Sequence, residues 1–304
     1  MLKLERPVFI NGFSRGGTSL LWNIIGSHPN FIMPDGETHQ ILLDGFYKKR
    51  FIKGLKYDFF SRNFIPKPHL TRKHLFVNYG TLNPANFSKR NLHCRLYEEV
   101  DNKIAHNALN NARHEEASYS KKRPDETEQR IVCKNINGII FLTPTFQKMY
   151  QDSMHIGLIR NGLALLESRA RRNTMPNPET FASIFKIIGE QMLEYRERYD
   201  NFHLYKFEDL TQSPSDFIAR IYQIIDAPPS DDQEYLLKVK SHYNETGDYI
   251  SPRIEGEKTW FDRERLSDFI SPKINENQLK KLPPSYYDRF MLIAGRTMEK
   301  LGYA

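Results

Sequence analysis

The sequence predicts an α/β protein built on a parallel β-sheet with helices on its faces. Short apolar segments of strand length alternate with longer stretches of helical pattern. Most residues of the strand-like segments are apolar, which is typical of strands covered on both faces. One of these segments runs through a glycine-containing loop directly into a helix-like stretch. Strands that alternate with helices in this way predict a parallel sheet.

The first unit is a strand, a loop and a helix. Residues 7–12 are short, apolar and end in glycine, a pattern that predicts a buried strand leading into a turn. Residues 18–25 begin with two hydroxyl side chains and continue with apolar ones, as expected at the start of a helix. The loop between them, residues 13–17, has the size needed to surround a phosphate group.

Later segments repeat this alternation. Residues 131–134 are strand-like and 138–150 helix-like, and the buried strand at 155–160 leads into a helix at 162–172. A further strand is predicted at 202–207, and Ser213-Pro214 opens a helix that runs to about 225. We expect residues 248–260 to be turn-rich and the remainder to be helical.

The chain of 304 residues with 39 % hydrophobic residues can bury a substantial core, which excludes disordered and fibrous classes. We expect a single domain over residues 1–304. Its region at about 38–130 is mainly helical and polar in pattern, and we interpret it as an insertion beside the sheet.

Charge and cysteine content narrow the possible partners. The formal net charge of +7 favours anionic ligands, but the basic clusters lack the interleaved aromatic residues of a nucleic-acid surface. We therefore expect no nucleic-acid partner.

Cys94 and Cys133 form neither a disulfide framework nor a metal-ligand spacing, which fits a reducing cytoplasm. No apolar run approaches the ~18 residues of a membrane span, and no signal-type region precedes the first strand. The oligomeric state stays open.

The first loop has the spacing of a phosphate-binding loop, with four residues between Gly12 and Gly17 and with Ser19 in the hydroxyl position. Thr18 stands where such loops carry lysine. Backbone N–H groups and the helix dipole still form an anion site there, and Arg15 can supply the cation. A plain glycine turn is the alternative.

The end of the second buried strand argues against a metal-dependent kinase. Such enzymes use an acidic residue after a later strand to hold magnesium, but the strand at 155–160 ends in Arg160. The sequence therefore predicts anion binding without a metal.

Two motifs resemble the sulfotransferases that use 3′-phosphoadenosine 5′-phosphosulfate (PAPS). Residues 14–21, Ser-Arg-Gly-Gly-Thr-Ser-Leu-Leu, followed by His28-Pro29, are similar to the 5′-phosphosulfate loop of that family. Arg160 at a strand end, with Ser168 eight residues later, is similar to its 3′-phosphate motif. Residues 206–210 resemble its Tyr-Glu-Asp-Leu segment, and Lys134 lies where many members have Lys-Thr-Pro.

The resemblance covers about residues 7–33 and 131–225 and leaves the insertion unmatched. The chain departs from the family where Asn161-Gly162 replaces Asp-Pro and where Asn135 follows Lys134. Neither departure removes a phosphate ligand.

The resemblance implies a sulfotransferase fold of the P-loop nucleotide-kinase type, in a soluble, bacterial-type member close to the carbohydrate and tyrosyl-protein branch. It implies PAPS as the donor and 3′-phosphoadenosine 5′-phosphate (PAP) as the product. Arg160 and Ser168 would bind the 3′-phosphate. The 5′-phosphate would be held by the loop residues Arg15, Gly16, Gly17, Thr18 and Ser19.

The resemblance also implies catalytic residues. Glu37 lies at the position where several members of the family have a catalytic glutamate. It would accept the proton of the acceptor hydroxyl. His39 is the second candidate base, Lys134 would contact the bridging oxygen or the sulfuryl group, and Arg15 would neutralise charge. Glu37 could instead be a first-turn acid of a helix beginning near Thr38.

We expect in-line transfer of the sulfuryl group from PAPS to the hydroxyl of a small-molecule or carbohydrate acceptor. The alternative is a nucleotide-binding protein or nucleotide-kinase relative without transfer activity. The insertion at about 38–130 is the expected place for acceptor recognition.

Overall fold

A computed structural model of the chain describes residues 5–34, 36–38, 130–171, 177–227, 234–238, 242–243, 249–250 and 258–303. The predicted insertion at about 38–130 lies almost entirely outside these residues.

A parallel sheet of five strands forms the centre of the described structure, in the order β2-β3-β1-β4-β5. The α/β class is therefore confirmed, as are the strands predicted near residues 7, 131, 155 and 202. The short β2 was not predicted, because two residues carry no pattern. The strands are β1 (Val8–Gly12), β2 (Phe31–Ile32), β3 (Arg130–Ile136), β4 (Met154–Ile159) and β5 (Phe202–Lys206).

The central strand β1 is buried along its whole length and pairs with β3 on one side and β4 on the other. In this register Gly12 lies opposite both Ile136 and Leu158. The carboxyl ends of the three strands are therefore level, and the loops that follow them meet at one edge. Open α/β sheets bind ligands at this edge.

Helices cover both faces of the sheet. The predicted helix at 138–150 is divided into a 3₁₀ segment, Asn137–Leu142, and a helix that begins at Thr143, where Pro144 occupies the first turn and lacks an N–H donor. The helices are α1 (Thr18–Gly26), α2 (Thr143–Met149), α3 (Gly162–Ala170), α4 (Pro178–Arg198), α5 (Phe207–Gln212), α6 (Pro214–Ile224), α7 (Leu266–Phe269), α8 (Ile274–Leu279) and α9 (Pro284–Lys300).

Alternate strand residues enter two separate cores. Phe9, Cys133 and Ile159 pack with α2, α3, α4 and α9, whereas Ile10 and Val132 pack with α1 and α6 on the opposite face. Because successive strand side chains point to opposite faces, this alternation decides which core each residue joins.

The C-terminal part contains short antiparallel strands as well as helices. β6 (Glu234–Lys238) pairs with β9 (Lys258–Asp262), and β7 (His242–Tyr243) pairs with β8 (Tyr249–Ile250). Within the stretch predicted to be turn-rich, residues 249–250 and 258–260 therefore form strands, and the other residues of that stretch lie outside the described ranges. Residues 258–262 include threonine, tryptophan and phenylalanine, which favour strands.

Asn161 and Gly162, which differ from the Asp-Pro of the family that the sequence resembles, each have a local structural role. The Asn161 side chain caps α3 by accepting from the N–H groups of Leu163 at 3.0 Å and Ala164 at 3.2 Å. At Gly162 a Cβ atom would lie 2.5 Å from the ring of Phe290, so only glycine allows α9 to pack this closely.

Candidate active site

The loop between β1 and α1 is a tight turn. Arg15 has a φ of 73° and Gly17 a φ of 89°, and the Gly16 N–H donates to the carbonyl of Phe13 at 2.9 Å. A positive φ is ordinary for glycine but strained for arginine, so the surrounding contacts must hold the Arg15 backbone.

The first turn of α1 presents its N–H groups at the carboxyl edge of the sheet. Gly17 caps the helix without a side-chain hydrogen bond, and the first N–H groups of a helix have no acceptor within the helix itself. A Cβ atom at Gly17 would lie 2.2 Å from the ring of Phe207, so a larger residue would displace the loop. The turn therefore forms a cradle of N–H groups that suits an anion.

The side chain of Arg15 lies beside Ser168, the second residue of the 3′-phosphate motif predicted from sequence. Its Nε is 3.5 Å from the Oγ of Ser168, which is buried on α3. The first loop and α3 thus bring a cation and a hydroxyl together at the carboxyl edge. Both groups recognise phosphate oxygens.

Arg160 is buried, with 4 % of its surface exposed, and its donors are directed at neighbouring oxygens. Nη1 donates to the Arg15 carbonyl at 2.8 Å, Nε donates to Oδ1 of Asn275 at 2.8 Å, and Nη2 donates to Oε1 of Gln278. The guanidinium also lies 4.8 Å above the ring of Phe207. Arg160 therefore supports the loop directly.

Burial lowers the pKa of Arg160 to about 10, and the negative charge of Glu208 acts in the opposite direction. The guanidinium keeps its charge at neutral pH, since the pH lies well below that value. A buried permanent cation next to the loop favours an anionic ligand there.

Lys134 joins the loop to the segment that carries Glu37. Its ammonium donates to the Oγ of Ser19 at 2.8 Å, lies 2.6 Å from Oε1 of Glu37 and lies 4.9 Å from the ring centre of Trp22. The Lys134 side chain is 6 % exposed and that of Glu37 is 22 % exposed. A cation, a carboxylate and the loop hydroxyl thus share one partly open position.

The sheet explains why Lys134 points toward α1. Val132, two residues earlier in β3, belongs to the core on the α1 face, so Lys134 points to that face as well. The carbonyl of Val132 accepts the indole N–H of Trp22 at 2.8 Å, which ties α1 to β3. The hydroxyl of Thr38 donates to the Lys134 carbonyl at 3.1 Å and so anchors the segment of Glu37.

The residues predicted from sequence fall into two groups. Arg15 and Ser168 meet at the α3 side, and Ser19, Lys134 and Glu37 meet at the α1 side. His39 lies outside the described residues. Asn275, Gln278 and Glu208 around Arg160 were missed as site residues, although Glu208 belongs to the segment at 206–210 that resembles the family. Asn275 and Gln278 carry no motif.

The described ranges contain neither a membrane-spanning helix nor a metal-binding cluster. None of the helices described is long and apolar enough to cross a membrane. Among the same residues, His, Cys, Asp and Glu side chains form no group of three or more that could hold a metal ion.

The phosphate-type loop on a five-stranded parallel sheet defines the class of fold. A family model for the sulfotransferase family matches residues 7–232, and the chain therefore belongs to the sulfotransferase family. The resemblance inferred from the loop and the Arg160 motif is confirmed at this level.

A solved structure of a sulfotransferase domain supports the fold. The sulfotransferase domain of the Synechococcus PCC 7002 olefin synthase is 15 % identical, with a TM-score of 0.50 over 100 % of this chain and 98 % of that chain. The sulfotransferase domain from the curacin biosynthetic pathway is 16 % identical, with a TM-score of 0.49 over 100 % of this chain and 99 % of that chain. A comparison with curated proteins found no match.

Proposed function

We propose that the protein transfers the sulfuryl group of PAPS to the hydroxyl group of an acceptor. The observation that carries this proposal is the position of Lys134, whose ammonium contacts both the hydroxyl of Ser19 in the loop and the carboxylate of Glu37. A donor held by the loop would therefore present its reacting end to a cation and to a base.

The loop suits the 5′-phosphosulfate end of the donor. The first turn of α1 has no side-chain cap and offers the N–H groups of Gly17 and Thr18, and Arg15 adds a positive charge. On the α3 side, Arg160 and Ser168 would bind the 3′-phosphate. Arg160 uses one hydrogen of Nη1 and one of Nη2 in its present contacts, so each of these atoms keeps one further N–H.

In the proposed reaction the acceptor oxygen attacks sulfur, and the bond from sulfur to the bridging oxygen of the 5′-phosphate breaks. PAP leaves with the electron pair of that bond, and the proton of the acceptor hydroxyl passes to Glu37. The ammonium of Lys134 stabilises negative charge on the bridging oxygen, as fixed cations do in other group transfers. His39 is the alternative base.

Binding experiments separate this proposal from a nucleotide-kinase relative. Calorimetric titration with PAP should show binding without added metal, whereas ATP with magnesium should bind weakly. Transfer of label from ³⁵S-PAPS to a panel of phenols, sugars and aliphatic alcohols should then identify the acceptor class. Tight binding of magnesium-ATP with no binding of PAP would contradict the proposal.

We propose a small-molecule or carbohydrate hydroxyl as the acceptor and the region at about 38–130 as its recognition segment within one domain. Glu37 stands at the start of this region and so lies where acceptor and donor would meet. We also propose a cytoplasmic location, which the low cysteine content supports.

A further inference from the structure

We propose that Glu208 is a positioning residue that keeps Arg160 and the loop of Arg15 in the donor-binding arrangement. This inference rests on the proposed function, because it concerns the same donor site. Glu208 is the second residue of α5 and lies at the carboxyl edge, next to the end of β5.

Both oxygens of the Glu208 carboxylate are engaged. Oε1 accepts from the backbone N–H of Asn161 at 3.0 Å and from the side-chain amide of Asn275. Oε2 accepts from the hydroxyl of Tyr303 at 2.7 Å. Burial and the charge of Glu208 raise the pKa of Tyr303, so its hydroxyl stays protonated and acts as the donor. These contacts hold the carboxylate from α3, α8 and the residues after α9.

Asn275 passes this constraint to Arg160. Its Oδ1 accepts from Nε of Arg160, and its Nδ2 donates to Glu208. Arginine has only donors and an ionised carboxylate only acceptors, so the amide of Asn275 can satisfy both neighbours in one orientation alone. Exchanging its oxygen and nitrogen would place donor against donor. The acceptor oxygen of Glu208 therefore fixes the direction of the Asn275 amide, and the amide fixes Arg160.

Arg160 in turn holds the most strained point of the loop. Its Nη1 donates to the carbonyl of Arg15, the residue with a φ of 73°. A non-glycine residue keeps such a backbone only where its surroundings determine it. A chain of hydrogen bonds thus ends at the N–H cradle that would bind the donor. It runs from Tyr303 through Glu208, Asn275 and Arg160.

The test compares four variants. Glu208→Ala removes the carboxylate, Glu208→Gln keeps an acceptor for Asn161 and Asn275, and Tyr303→Phe removes only the hydroxyl. Tyr287→Phe, at a tyrosine 47 % exposed on α9, is the matched control. Hydrogen exchange of the amides at 13–17, the melting temperature and the dissociation constants for PAP and adenosine 5′-phosphate are measured for each.

We expect Glu208→Ala to raise the dissociation constant for PAP about tenfold, the effect of one hydrogen bond to a charged group. Exchange at 13–17 should speed up by about fivefold more than at β1, as a local opening would. Glu208→Gln should keep the dissociation constant for PAP and the exchange rate at 13–17 within about threefold of the wild type, since it preserves the two acceptor contacts. Tyr303→Phe should raise the dissociation constant for PAP and the exchange rate at 13–17, as Glu208→Ala does. Tyr287→Phe should change neither quantity.

A double-mutant cycle decides whether Glu208 acts through Arg160. In the Arg160→Ala background, Glu208→Ala should raise the dissociation constant for PAP by less than about twofold. Additive losses, or unchanged exchange at 13–17 in both Glu208→Ala and Tyr303→Phe, would overturn the proposal. If Glu208→Ala does not fold, Tyr303→Phe decides by the same readouts. A wild type that fails to bind PAP would refute the proposed function, and the exchange data would still decide the role of Glu208.

Discussion

Replacing Lys134 with methionine tests the centre of the site. Methionine keeps the unbranched stem against Trp22 and removes the ammonium that contacts Ser19 at 2.8 Å and Glu37 at 2.6 Å. A hydrogen bond to a charged group contributes about 1.5–3 kcal/mol to folding. The Glu37 side chain is 22 % exposed and can turn to water, so we expect a loss of about 1–2 kcal/mol in the free energy of unfolding.

The loss in activity should be larger. Removing one fixed group that stabilises developing charge lowers kcat by about 10²–10³-fold. Turnover with ³⁵S-PAPS and urea unfolding give the two values. Lys186→Met, at an exposed lysine on α4, is the matched control and should change neither. A Lys134→Met enzyme that keeps kcat within about fivefold of the wild type would refute the assignment of Lys134 to the reaction.

Three further predictions concern the base, pH and metal. Glu37→Gln should lower turnover by about 10²–10⁴-fold and leave PAP affinity within a few-fold, as measured by kinetics and calorimetry; near-normal turnover would assign the base elsewhere. Burial lowers the pKa of His155 from 6.5 to about 3, so the folded state resists protonation. The contribution of neutral His155 to the free energy of unfolding is fully present above pH 6.5. It should fall by about 1.4 kcal/mol per pH unit as the pH drops toward 3. Urea unfolding between pH 7 and 5 should show this fall below pH 6.5 in the wild type and not in His155→Phe. Transfer should survive EDTA, and activity that is lost with chelator and restored by magnesium would contradict the reaction class.

The sequence alone was enough to predict the sheet and the loop. Strands covered on both faces are continuously apolar, and the loop glycines mark the positions where backbone geometry excludes a side chain, as the positive φ of Gly17 shows. Such signals are local, because each depends on the residue and its immediate neighbours. The motif of Arg160 and Ser168 is local for the same reason, since both belong to one strand-to-helix unit.

Only the tertiary structure decided which side chains meet. Lys134 reaches Glu37 because the Lys134 side chain points from β3 toward α1. The register of the sheet brings the ends of the strands level. Asn275 and Gln278 contact Arg160 because α8 packs against α3, and neither residue lies in a recognisable motif. Hydrogen bonds between segments far apart in the chain leave no periodic pattern in the sequence, because their geometry depends on how whole elements pack.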